Sequence, residues 1–211
     1  MLDTYARKFV QPLLDRIAGI FIKLGLSANA VTVMAFVIGV LSAGAVCIRQ
    51  YWPAVALLWF SGLLDAVDGT IARKTGTASS LGTLLDIVFD RIVEILLLMA
   101  LVYIMPGLAL YTAAVLSCII VSMTVFLTVG AAAKNSTKKS FYYQAGVAER
   151  SEGFIMITLA IALEEYRPIV LLAFAGIILF TAAQRFIEAV KLLKNQEASS
   201  ETSSEDKGER D

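Results

Sequence analysis

The chain has 211 residues, 58% of them apolar, with a mean hydropathy of +0.74 that exceeds a soluble domain's usual composition. It has no histidine and two cysteines, Cys47 and Cys118, which excludes histidine general bases, Ser-His-Asp triads and Cys/His zinc or iron–sulfur sites. Its 18 basic and 18 acidic residues cancel, so no basic excess points to nucleic acid.

Residues 3–24 carry Phe9, Val10, Leu13, Leu14, Ile17, Ile20, Phe21 and Leu24 at helical spacing, among Arg7, Lys8, Arg16 and Lys23. That pattern predicts an amphipathic helix lying in a membrane interface, with Pro12 as a possible kink. No early apolar core fits a cleavable signal peptide. Six apolar stretches then follow at roughly 29–48, 53–73, 82–105, 107–133, 153–166 and 168–190, the fifth being short. The expected fold is an all-α integral membrane protein: six transmembrane helices over 29–194, preceded by the interfacial helix 1–28. The Glu/Ser-rich stretch 195–211 is expected to be a disordered acidic tail.

Loop charges orient the spans. With six crossings, twelve Lys and Arg residues of the N-terminal segment, the loops and the C-terminal flank fall on one side, and only Arg49 and Arg167 on the other. Both termini are therefore expected in the cytoplasm.

Five acids interrupt the second and third apolar stretches: Asp65, Asp68, Asp86, Asp90 and Glu94. A charged aspartate at mid-membrane costs about 2.5–3.5 kcal/mol on insertion scales, so such a set must face a polar cavity and share a counter-charge. Asp65 and Asp68 are three apart, Asp86 and Asp90 four apart, and each pair occupies one helical face. Two consecutive antiparallel helices can bring all four together. Carboxylates alone suit hard cations, and two Mg²⁺ or Mn²⁺ ions about 3.5–4 Å apart could clamp a pyrophosphate. Gly69 and Gly82 permit close approach, and Arg73 offers a planar fork for phosphate oxygens, with small Ala72 beside it. Glu94 extends the Asp86–Asp90 face and is expected to act structurally, either behind the carboxylates or paired with Arg91.

Written out, the stretch reads Asp65-x2-Asp68-Gly69-x2-Ala72-Arg73-x8-Gly82-x3-Asp86-x3-Asp90. It resembles the signature of the CDP-alcohol phosphotransferase family, with every fixed position occupied. The resemblance implies six transmembrane helices, a preceding interfacial helix, a polar cavity facing the cytoplasm, and a homodimer. It implies metal binding by Asp65, Asp68 and Asp86, with Asp90 near the ions and acting as general base. Nucleotide binding falls to Gly69, Ala72, Arg73 and Gly82, with Asp65 and Asp68 reaching the nucleotide through metal. Leu26-Ser27-x-Asn29-x2-Thr32 resembles the family's Pro-Asn-x2-Thr segment, with Ala28 where proline is common; this assigns Asn29 and Thr32 to the nucleotide end. A helix cap is the alternative reading.

Acceptor-side candidates are Lys134, Arg150 and Arg185, cations able to reach the same cavity. They suit an acidic acceptor such as a phosphorylated polyol. Glu149-Arg150-x-Glu152 is similar to a Glu-Arg-Pro-Glu segment of prokaryotic phosphatidylinositol-phosphate synthases, with serine replacing proline. The expected activity moves the substituted phosphate of CDP-diacylglycerol, or an ether-lipid analogue, onto a small alcohol and releases CMP. A CDP-alcohol donor with diacylglycerol as acceptor, and a membrane CDP-lipid hydrolase, are the alternatives. A cation transporter fits poorly because Arg73 would repel its cargo, and a silent scaffold would be expected to lack an aspartate.

Overall fold

A computed structural model describes the backbone of residues 2–134 and 150–208, with side chains over 10–130 and 151–191. Seven α-helices make up the described chain: α1 (Leu2–Lys23), α2 (Ala28–Cys47), α3 (Tyr51–Thr75), α4 (Ser80–Ile104), α5 (Ala109–Lys134), α6 (Arg150–Ala162) and α7 (Arg167–Gly208). Single 3-10 turns at Pro106–Leu108 and Glu164–Tyr166 join α4 to α5 and α6 to α7. No strand occurs among the described residues.

The tight connections follow from local chemistry. Ser27 caps α2 by accepting the Ala30 N–H at 3.2 Å, and Ser79 caps α4 by accepting the Gly82 N–H at 3.1 Å. Between α2 and α3 the chain reverses at Arg49, a non-glycine residue in left-handed backbone at φ 60°. The Arg49 N–H donates to the Val46 carbonyl and the Gln50 N–H to the Ala45 carbonyl, the paired closure of a Schellman motif. So short a link makes α2 and α3 antiparallel neighbours. Ser42 and Ser61 cross the seam, donating at 2.7 Å to the Ala54 and Ala35 carbonyls respectively. Small polar residues of this kind let membrane helices approach closely. Gly39 does the same between α2 and α4, where a Cβ would stand 2.6 Å from Val93.

Two apolar cores result. The larger holds Val46, Leu58, Leu97, Leu101, Ile157 and Leu171 from α2, α3, α4, α6 and α7. The smaller docks Leu14 and Ala18 of α1 onto Val31, Ala35, Leu64, Val67 and Ile71 of α2 and α3. α1 is thus helical as expected and continues through Pro12. It buries one stripe, while Leu13 and Ile20, with Leu24 just past its end, stay exposed. Lys74 Nζ fastens it to α3, donating to the Asp15 carbonyl at 3.1 Å and pairing with Asp15 Oδ1 at 2.9 Å.

Among the described residues, four helical segments are long and apolar enough to cross a membrane: Ala28–Cys47, Tyr51–Thr75, Pro106–Gly130 and Glu164–Lys191. The expected six reduce to four by length and hydropathy, for two different reasons. α4 has 25 residues, roughly 37 Å at 1.5 Å per residue, but Asp86, Asp90, Arg91 and Glu94 lower its apolar character. The described part of α6 has 13 residues, roughly 20 Å, against a hydrocarbon core of about 30 Å. Its C-terminal end is closed by Arg167, which is 2% exposed and donates to the Ala160 and Ile161 carbonyls at 3.0 and 3.2 Å. Tyr51 lies under that guanidinium at 5.0 Å, and Glu164 faces it at 3.6 Å. α7 runs on to Gly208, so the stretch 195–208, expected to be irregular, continues the helix. Extending an existing helix adds one hydrogen bond per residue without a new nucleus, so it can run into residues that would not start one.

Candidate active site

The signature residues sit on facing turns of α3 and α4. Carboxylate oxygens of Asp65, Asp86 and Asp90 all lie within 4.8 Å of one another, and all three residues are half-buried. The i, i+4 spacing puts Asp86 and Asp90 on one face of α4, and the antiparallel α3 brings Asp65 against that face. Asp68 stands outside this close trio but near enough to interact electrostatically with Asp86 and Asp90. It is 7% exposed, and its Oδ2 is buried without a hydrogen-bond partner. The Thr32 hydroxyl and the Gly69 N–H lie beside the Asp68 carboxylate.

Three clustered carboxylates, and a fourth with an orphaned oxygen, repel one another in a low-dielectric surrounding. The donor set is all oxygen, with neither imidazole nor thiolate in reach, and it fits hard divalent cations. The residues that could hold them are Asp65, Asp68, Asp86 and Asp90.

The remaining signature residues lie toward the N-terminal ends of α2 and α4 and the C-terminal half of α3. A Cβ on Gly82 would stand 3.3 Å from Asn29 Oδ1 and 3.4 Å from Ser79 Oγ, so Asn29 faces the first turn of α4. Ser27, not Asn29, caps α2. Arg73, near the C-terminal end of α3, donates from Nη2 to Thr70 Oγ1 at 3.0 Å, while its Nη1 would be 3.3 Å from a Cβ on Gly69. Absence of both Cβ atoms therefore leaves room for the Arg73 fork and the Asn29 amide. Ala72 closes α3 with its carbonyl, which accepts the N–H groups of Gly76 and Thr77. A groove of about 310 Å³ lies alongside, bounded by Gly25, Leu26, Ser27, Asn29, Thr75 and Thr77.

On the other side of Asp86 and Asp90 opens a cavity of about 220 Å³. Its polar lining is Asp86, Asp90, Arg91, Glu94, Ser122 and Arg185. Arg185 of α7 is 8% exposed; it donates to Ser122 Oγ at 3.3 Å and its guanidinium lies 5.3 Å from the Phe126 ring centre. Arg91 and Glu94 form an ion pair on α4, the structural pairing expected for Glu94. Of the three acceptor-side cations, Arg185 is brought to the cavity; the Lys134 and Arg150 side chains lie outside the described residues. Ser122, Phe154 and the Gly62 that accommodates Phe154 belong to this neighbourhood and carry no sequence signal of their own, because each acquires its place only through helix packing.

The sequence profile of the CDP-alcohol phosphatidyltransferase family matches residues 25–191, nearly the whole helical bundle. The chain belongs to that family. It is a phosphotransferase of the CDP-alcohol class and, with its apolar helices, an integral membrane protein. An archaetidylinositol phosphate synthase of Pyrococcus horikoshii is 30% identical over 194 residues, covering 92% of this chain and 99% of the relative. A phosphatidylinositol phosphate synthase of Corynebacterium glutamicum is 29% identical over 202 residues, 90% of each chain. The fold is shared with crystal structures of Mycobacterium tuberculosis phosphatidylinositol phosphate synthase. One, with CDP-DAG bound, has a TM-score of 0.67 at 21% identity, covering 84% of this chain and 94% of that one. Another is in complex with manganese and citrate, with a TM-score of 0.67 at 22% identity over 83% of this chain and 88% of that one.

Proposed function

We propose that this CDP-alcohol phosphatidyltransferase moves the phosphatidyl group of CDP-diacylglycerol, or its ether-lipid counterpart, onto a small alcohol and releases CMP. The observation that carries the proposal is the meeting of Asp65, Asp86 and Asp90 beside a cavity that Arg185 also lines. The two sides differ in chemistry. Asn29, Gly69, Arg73 and Gly82 gather toward the nucleotide end, and Arg185 with Ser122 faces the opposite side. An acceptor held by a buried guanidinium is anionic, which favours a phosphorylated polyol. Relatives named as inositol phosphate lipid synthases support the same reading.

Asp65, Asp68, Asp86 and Asp90 would hold two Mg²⁺ or Mn²⁺ ions, and a manganese complex of a shared-fold enzyme supports this assignment. Bound there, the ions would offset charge on the pyrophosphate and on departing CMP. Arg73 orients the diphosphate. Asp90, which borders the acceptor cavity, accepts the proton of the incoming hydroxyl. α4 and α6 complete six crossings, α1 lies along the cytoplasmic interface, and both termini share the cytoplasmic side with the active site.

The test is purified protein with labelled CDP-diacylglycerol and Mn²⁺ or Mg²⁺, offered inositol phosphate, glycerol 3-phosphate, inositol and serine in turn. CMP release together with a lipid containing the alcohol supports the proposal. CMP release with phosphatidate as the sole lipid product, whatever alcohol is added, replaces it with a hydrolase.

A further inference from the structure

The cavity of about 220 Å³ beside Arg185 has a small neighbour, a void of about 10 Å³ bounded by Thr32, Ser61, Asp65 and Phe89 among others. The void has room for about one water molecule. The two spaces share two lining residues, Asp90 and Phe154. Asp90 of α4 and Phe154 of α6 border both spaces.

Phe154 is held in place from α3. A Cβ on Gly62 would come within 2.5 Å of Phe154 Cε2 and 3.2 Å of Cδ2, so the ring lies directly on the glycine. The Trp59 ring meets it edge-on, with centres 6.3 Å apart at 89°, and Trp59 Nε1 donates to Thr158 Oγ1 one turn along α6 at 3.1 Å. An apolar ring thus stands between Asp65 on one side and the acceptor cavity on the other.

We propose that Phe154 is a specificity-determining residue: its ring closes the small void beside Asp65 off from the acceptor cavity, so that the nucleophile reaches the phosphorus from the acceptor side, where an alcohol binds beside Asp90, and water does not reach it by way of Asp65. The inference rests on the transferase reading above. Removal of the ring joins the two spaces and admits solvent. In the resulting side reaction a water oxygen bonds to the lipid-bearing phosphorus and its proton passes to the Asp90 carboxylate. The bond from that phosphorus to the bridging oxygen breaks, leaving CMP and phosphatidate. Exclusion of water from a reacting centre is a general means of suppressing such hydrolysis.

Two measurements test the partition. The first needs neither metal nor turnover. In a Cys47→Ala, Cys118→Ala background, Ser61→Cys places a thiol on the small void. Labelling of metal-free protein by a water-soluble thiosulfonate is expected to accelerate by about tenfold when Phe154→Ala is added, and not when Phe154→Tyr is added. The second follows phosphatidate formed from CDP-diacylglycerol and Mn²⁺ without any alcohol. It is expected to rise by about tenfold in Phe154→Ala over wild type. Gly62→Ala displaces the ring without deleting it and is expected to raise hydrolysis in the same direction, which covers the case that Phe154→Ala does not fold. Unchanged labelling and unchanged phosphatidate in every folded variant overturn the partition. Faster labelling in a protein whose wild type joins no alcohol to lipid upholds the wall and rejects the transferase reading instead.

Discussion

Asn29 Oδ1, on the first turn of α2, stands 3.3 Å from the point where a Cβ on Gly82 would lie, on the first turns of α4. Two stretches more than fifty residues apart thereby meet at what we propose is the nucleotide end of the site. Gly82→Ala would push the Asn29 amide by a few tenths of an ångström. The expected result is a KM for the CDP-linked donor raised by about tenfold with a smaller change in kcat, because misplacement here disturbs binding before chemistry. Asn29→Ala alone should also weaken the donor, and the double variant should cost less than the two effects combined. Steady-state kinetics on the four proteins checks this, and full additivity would separate the two residues.

The carboxylate cluster makes a metal-binding prediction. Asn in place of Asp65 or Asp86 is expected to weaken Mn²⁺ binding by at least about tenfold to a hundredfold, the loss seen even for groups that only support a metal ligand. Electron paramagnetic resonance titration of free Mn²⁺ measures it directly. Exhaustive chelation should abolish CMP release, and added Mn²⁺ should restore it.

Asp90→Asn keeps the shape and removes the proposed proton acceptor. Turnover is expected to fall by about 10²–10⁴, the range for loss of a general base. Turnover equal to wild type would remove Asp90 from that role.

Arg185 and Arg73 should separate acceptor from donor. Arg185→Ala is expected to raise the KM of an anionic acceptor by about 10–100-fold, the value of a charge-assisted hydrogen bond, and to leave the donor KM near wild type. Arg73→Ala should do the reverse. Equal losses for both substrates in either variant would reject the two-sided arrangement.

Arg167 is remote from the chemistry and holds the end of α6. Arg167→Ala leaves the Ala160 and Ile161 carbonyls without their side-chain donors, at an expected cost of about 2–4 kcal/mol of stability. Thermal unfolding in detergent would register the loss, while Mn²⁺ affinity at the aspartates should not move. The Asp15–Lys74 tether behaves differently because it is exposed. Hydrogen bonds from Lys74 and Gln11 hold the Asp15 carboxyl below its usual range. The tether's contribution is therefore present above pH about 4 and is lost as pH falls through the lowered folded value. Hydrogen exchange in α1 should quicken only in that acid window.

Much of this protein is legible from its residues in order. Apolar runs dictate helices wherever the backbone must satisfy its own hydrogen bonds, and each predicted stretch falls on one helix, although α7 continues well past residue 190. Spacing alone places Asp86 and Asp90 on one face of α4 and Asp65 and Asp68 on one face of α3, since helical periodicity is a local property. What no spacing could supply is which carboxylates converge. Asp65 joins Asp86 and Asp90, whereas Asp68 stands aside against Thr32, because that depends on how α3 and α4 are rotated by their packing on α2. Phe154 and Ser122 are ordinary residues of apolar helices until α3, α5, α6 and α7 bring them to the cavity wall. By length and hydropathy alone four of the described segments qualify as spans, and α4 falls short because it gives up hydropathy to the same acids that build the site. Local chemistry determined the helices and the ligand types; only tertiary packing decided which side chains share a space.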